Sequence, residues 1–144
     1  MTTALRAPAV AGWLRVTAAA LAVPQLFTGL WAVLSPHGFY DHFPGIGAAL
    51  VAAEPPYNMH LITDTGSGFL AVGVVLAFAA LRGGHELIQL AAIGTLVFGI
   101  PHLIYHWAHP AESLSTAEQV LSVGLLAVEV AVAITLIVAT RRES

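Results

Sequence analysis

Cysteine and lysine are both absent from this chain, and charge of either sign is scarce. Without cysteine there can be no disulfide, no thiolate metal ligand and no covalent c-type haem attachment. Charged residues make up 9% of the sequence, whereas a soluble domain carries about 25% to keep its surface hydrated. The cations are all arginine: Arg6, Arg15, Arg82, Arg141 and Arg142. They form no basic run, which argues against a nucleic-acid partner. Neither a GxGxxG nor a Walker pattern is present, so Gly66, Gly68 and Gly73 read as packing sites rather than a nucleotide loop. The Gly-x-Ser-x-Gly elbow of acyl transfer and the HExxH of zincin proteases are missing too.

What is present is apolar. Over 144 residues, 58% are hydrophobic and the mean hydropathy is +0.83, which requires a surface that faces lipid. Four segments are long enough to cross a hydrocarbon core, which takes about 20 residues. They run from about Val16 to Leu34, Tyr57 to Leu81, Glu86 to Trp107 and Thr116 to Thr140. The expected fold is all-α, a four-transmembrane-helix antiparallel bundle in a single domain. The first segment is too long for a typical signal core and lacks a small-x-small cleavage site, so a retained helix is expected. Pro24 removes a backbone donor within it, a candidate kink.

Arginine placement orients the bundle. Arg6 and Arg15 precede the first segment, Arg82 lies between the second and third, and Arg141 and Arg142 follow the fourth. The other two connections have no arginine, so the positive-inside rule predicts a multi-pass protein of the plasma (inner) membrane with both termini cytoplasmic. Most of the histidines then fall at the outer end, with Asp41, Glu54, Glu112 and Glu118. The outer connection Ser35 to Pro56 is long and aromatic, as functional loops often are. Its apolar piece Ile46 to Ala53 suggests a short interfacial helix. Trp13, Trp31 and Trp107 suit interfacial belts.

Candidate chemistry gathers in that outer layer. His102, His106 and His109 are spaced by four and three, within a helical stripe roughly 60° wide. His60 and Asp64, four apart, share a face of the preceding segment, with Ser67 and Gly68 offering small side chains for close approach. The short turn at Arg82 predicts a hairpin that brings His60 level with Trp107 and Asp64 level with Leu103. If the two stripes face each other, His60, Asp64, His102, His106 and His109 form one pocket. Imidazoles and a carboxylate suit a divalent transition metal such as zinc, iron, copper or manganese. Tyr40, Asp41, Tyr105 and Glu118 are candidates for proton transfer beside it. Haem b between two histidines is a further candidate cofactor. Glu129 sits near mid-membrane, where an ionised carboxylate costs at least about 2.5 kcal/mol unless paired or hydrated. Gln25 and Thr28 are candidate partners for it.

Three motifs carry a resemblance. They are Phe39-Tyr40-Asp41-x-Phe43-Pro44-Gly45, then Pro56-Tyr57-Asn58-x-His60-Leu61-x-x-Asp64-x-Gly66, and Pro101-His102-Leu103-x-Tyr105-His106-x-x-His109. Together they resemble a group of small four-helix integral membrane proteins common in actinobacteria, with DoxX-like proteins as distant relatives. The resemblance runs from about Leu30 to about Thr140. It implies a four-helix bundle and no particular activity.

Two functions follow as expectations. One is a membrane metalloprotein, an oxidoreductase acting on a lipophilic small molecule. The other is a non-enzymatic transport or accessory subunit in which Asp64 and Glu129 bind protons or solute, completed by homo-oligomerisation.

Overall fold

The computed structural model describes residues 10–143. Arg6, one of the orienting arginines, lies outside them. The described residues form five helices and no strand: α1 (Gly12–Leu34), α2 (Pro36–His42), α3 (Met59–Arg82), α4 (His85–Ala108) and α5 (Thr116–Glu143). All but α2 are long and apolar enough to cross a membrane. Large apolar side chains such as Val23, Leu34, Leu81 and Val97 stand exposed on their outer faces. Exposure of that kind suits lipid and would be costly in water.

Local chemistry explains the helix limits. Asn58 caps α3, its Oδ1 accepting from the backbone N–H of Leu61 at 3.1 Å, so the helix starts after Tyr57. Glu118 and Ser115 form a capping box at the start of α5. The Glu118 carboxylate accepts from the Ser115 N–H at 2.8 Å and from its hydroxyl at 2.7 Å. At the other end of α3, Arg15 donates to the carbonyl oxygens of Ala80 and Leu81, both at 2.8 Å. An arginine that reads in the sequence as a topology signal therefore also satisfies a helix C-terminus.

The expected helix at Ile46 to Ala53 does not form. Gly45 and Gly47 take positive φ values of 93° and 73° there, and the chain bends and turns instead. The extra helix is α2, immediately upstream, where Pro36 occupies the first helical position with its φ already suited to it. Helix α2 and the following loop fold onto the ends of α1 and α3. Phe39, Ala32 and Ile62 form a small core there, with Trp31, Tyr40, Phe43, Val51 and Tyr57 against it. Trp31 meets Phe27, Phe39 and Phe43 edge-on, so its place is in this core rather than in an interfacial belt. Trp13 and Trp107 are the exposed ones.

The helices associate as two pairs, α1 with α3 and α4 with α5, and α3 meets α4 much less. Glycine explains the first pair. A Cβ on Gly29 would lie 2.6 Å from the backbone nitrogen of Leu70, one on Gly66 2.7 Å from the Ala32 Cβ, and one on Gly73 2.9 Å from the Leu26 nitrogen. Association in lipid gains little from hydrophobicity and relies on such close packing. The pairs meet at the end that carries the Arg82 turn. There Leu14, Leu76, Ile88 and Leu136 are fully buried among Ala18, Ala22, Ala79, Ala91, Ala92 and Ala133. Toward the opposite end the pairs part.

Candidate functional site

Between the parted pairs lies a cavity of about 980 Å³. Its walls come from α1, α3, α4 and α5, and α2 with its loop contributes Phe39, Tyr40, Phe43, Leu50, Val51 and Glu54. The lining is mostly apolar. Exposed residues of α1 (Val16, Ala20, Pro24) and of α5 (Leu125, Val128) belong to it. The cavity is therefore open along the flank between these helices, within the membrane-crossing segments.

Polar groups are few and arranged by depth. Below the histidines, Gln25 of α1 is 1% exposed and donates from Nε2 to Glu129 Oε1 at 2.7 Å, forming a polar floor beneath which the lining continues through Val16, Thr17, Ala20, Leu21 and Val132. Glu129 finds room because α4 carries Gly99 opposite, where a Cβ would stand 3.4 Å from Glu129 Oε1. His102 is one turn further along α4, about 4.5 Å up the axis, and His106 is a turn beyond that. Their rings are 4.9 Å apart, and His102 lies edge-on against Phe69 and Phe98. Nearer the mouth are Tyr105 and His109, whose rings stack at 4.6 Å, and Tyr40, whose ring meets Tyr57 at 5.2 Å. Glu54, from the loop after α2, adds a carboxylate to the same lining.

The histidine stripe of α4 thus faces the cavity, but its expected partners do not. His60 and Asp64 are absent from the lining and mostly exposed, bonded only to each other at 3.3 Å between Nε2 and Oδ2. Rotation is the cause. Residues two apart on a helix point about 200° apart, so turning Gly66 onto α1 turns Asp64 away from it. Ser67, also exposed, bonds the Thr63 carbonyl of its own helix at 2.9 Å. Close approach uses Gly66 and Gly73 instead, and Gly68 faces the ring of Phe98.

The single metal pocket of His60, Asp64, His102, His106 and His109 is therefore not assembled. Among the described residues, no three His, Asp or Glu side chains stand together as a metal ion would need. Of the histidines considered for a haem, His102 and His106 lie together on α4 and line the cavity, whereas His60 of α3 stands exposed outside it. Of the proton-transfer candidates, Tyr40 and Tyr105 line the cavity. Asp41 does not; it pairs with His37 inside α2 at 2.8 Å. Glu118 is engaged in the α5 cap.

Sequence reasoning singled out Glu129 with Gln25 and Thr28 as candidate partners, and the pair with Gln25 forms. It gave no site role to Glu54, Asn58 or Gln119, which line the cavity as well. Spacings of four, three and four put Glu118, Ser122, Leu125 and Glu129 on one helical face, and the last three of these line the cavity. Compared with known proteins, the chain matches no protein-family model, no curated protein and no solved structure.

Proposed function

We propose that this is a multi-pass membrane protein that takes an amphiphilic small molecule from the bilayer into the cavity between its helix pairs. The observation that carries this reading is the cavity's construction, with an apolar lining, an opening along the flank and a polar floor formed by Gln25 and Glu129. Ligand pockets are typically apolar with a few converging polar groups. An alkyl or isoprenoid body fits the lining, and a polar head would reach the floor or the His102–His106 pair.

The orientation inferred from the arginines belongs to the same proposal. Both termini and the Arg82 turn would face the cytoplasm, and the mouth with His109 and Tyr40 the outer side of the plasma membrane. Kinship with the small actinobacterial four-helix proteins and the DoxX-like proteins is consistent with the four long helices. A second copy of the chain would cover His60 and Asp64 on the outward face of α3. Dispersal of the expected ligands moves the reading from metal-dependent oxidation toward binding and transfer of a lipophilic molecule.

Photolabelling tests it. The protein in lipid nanodiscs is irradiated with a dodecyl alcohol that carries a diazirine in its chain, and adducts are mapped by mass spectrometry. Adducts are expected at Ile62, Phe69 and Leu126, and are expected to be suppressed by Val123→Trp, which fills the cavity from α5. Labelling confined to outward residues such as Val74, Leu90 and Val97 would overturn the proposal.

A further inference from the structure

We infer that the cavity floor recognises a protonated amine, so that the amphiphile it takes is a lipophilic primary or secondary ammonium. The inference rests on the binding reading above and adds the chemistry of the head group. It starts from an unfilled requirement. Gln25 is nine-tenths buried and more, yet its Oε1 has no hydrogen-bond partner. A buried acceptor left without a donor forgoes the hydrogen bonds it would have in water and is destabilising. Its amide nitrogen is already committed to Glu129 Oε1. Among the described residues nothing bonds the second oxygen of Glu129. The floor therefore presents acceptors that lack donors, and one of them belongs to a carboxyl group at the middle of α5.

Charge points the same way. Glu129 and Glu54 both line the cavity, and none of the arginines among the described residues does. Arg15 is held by the carbonyls at the end of α3, and Arg82 lies 5.6 Å from the centre of the Phe78 ring, far from this space. The imidazoles of His102 and His106, above the floor, carry no permanent charge. An ionised carboxylate at this depth is unfavourable alone and favourable with a cation beside it. Phe69, Phe39 and Phe43 add aromatic rings to the lining, and rings are better neighbours for a cation than for an anion. An ammonium with at least two N–H groups can donate to Glu129 and, with a small turn of the Gln25 amide that uncovers Oε1, to that oxygen as well. A fatty acid would set a second carboxylate against Glu129, and a neutral alcohol has only one hydrogen to give.

Competition against the photolabel tests this. Dodecylamine, dodecanol and dodecanoate are titrated against the labelled nanodiscs, made from neutral lipid, and protection of Ile62, Phe69 and Leu126 is measured. Dodecylamine is expected to protect at least about tenfold more tightly than dodecanoate, with dodecanol between them. Glu129→Gln keeps an oxygen for the Gln25 amide and removes the charge. It is expected to abolish most of the amine preference while labelling by the neutral alcohol persists, which also shows that the variant is folded. If dodecanoate protects as well as dodecylamine, or if Glu129→Gln leaves the amine preference intact, the inference is overturned while cavity labelling keeps the binding reading. If labelling never reaches the cavity, both fall.

Discussion

The two ends of the bundle use the same four long helices and differ in what stands between them. At the closed end, alanines let the pairs approach until Leu14, Leu76, Ile88 and Leu136 lose all exposure. At the open end the facing positions carry Phe69, His102, Leu126 and Glu129, and the space between the pairs is left as cavity. Side-chain size along the inward faces thus decides where a membrane bundle closes. Where lipid competes equally for apolar surface, only close contact holds helices together. An end that forgoes that contact is free to hold something else.

The largest test of this contrast is a pair of truncations. Leu76→Ala at the closed end is expected to cost about 2–5 kcal/mol by opening a void in a filled core. Val123→Ala, on the cavity wall, is expected to cost less than about 1 kcal/mol, because its neighbour is already empty space. Thermal unfolding in mild detergent compares them, and equal losses would remove the distinction between filled and open ends.

A smaller effect separates glycines that are pressed from those that are not. Gly66→Leu must push against Ala32 and Val33 and is expected to cost about 1–3 kcal/mol. Gly124 has no atom within 4 Å of a built Cβ, so Gly124→Ala is expected to gain about 0.5–1 kcal/mol of helix stability. Unfolding midpoints moving in opposite directions would confirm that α1 and α3 are joined through glycine contacts.

The smallest effects concern polar residues outside the cavity. His60→Ala with Asp64→Ala is expected to change stability by no more than about 0.5 kcal/mol and to leave photolabelling of the cavity unchanged. Glu118→Ala loses its half of the α5 capping box, at about 0.5–1 kcal/mol, also without effect on labelling. A loss of cavity labelling in either variant would return these residues to the site.

Much of the fold was legible because membrane crossing is a one-dimensional property. A run such as Glu86 to Trp107 announces a span by length and hydropathy alone, and α4 extends it by one residue at each end. The α1–α3 contact was partly legible, since Gly66 and Gly73 were marked as packing sites. The site was harder. Spacing showed that His102 and His106 share a face, and that Gln25 could meet Glu129, but the facing of α3 depended on which neighbour its glycines would meet. The loop misled for a different reason. Hydrophobicity between Ile46 and Ala53 suggested a helix, whereas Pro36 upstream and the two positive-φ glycines decided where one could start and where none could continue.

By itself the sequence determined that this chain is all-helical, that four of its helices can cross a membrane, and at what height along them each polar residue lies. Those properties follow from composition, length and the helical repeat, which are local. Tertiary structure alone decided that α3 turns Gly66 to α1 and therefore Asp64 outward, that the pairs close at one end only, and that Gln25 and Glu129 meet within the space left at the other. Those outcomes depend on rotation about helix axes, which is set by contacts between residues far apart in the chain and has no signature in any one helix.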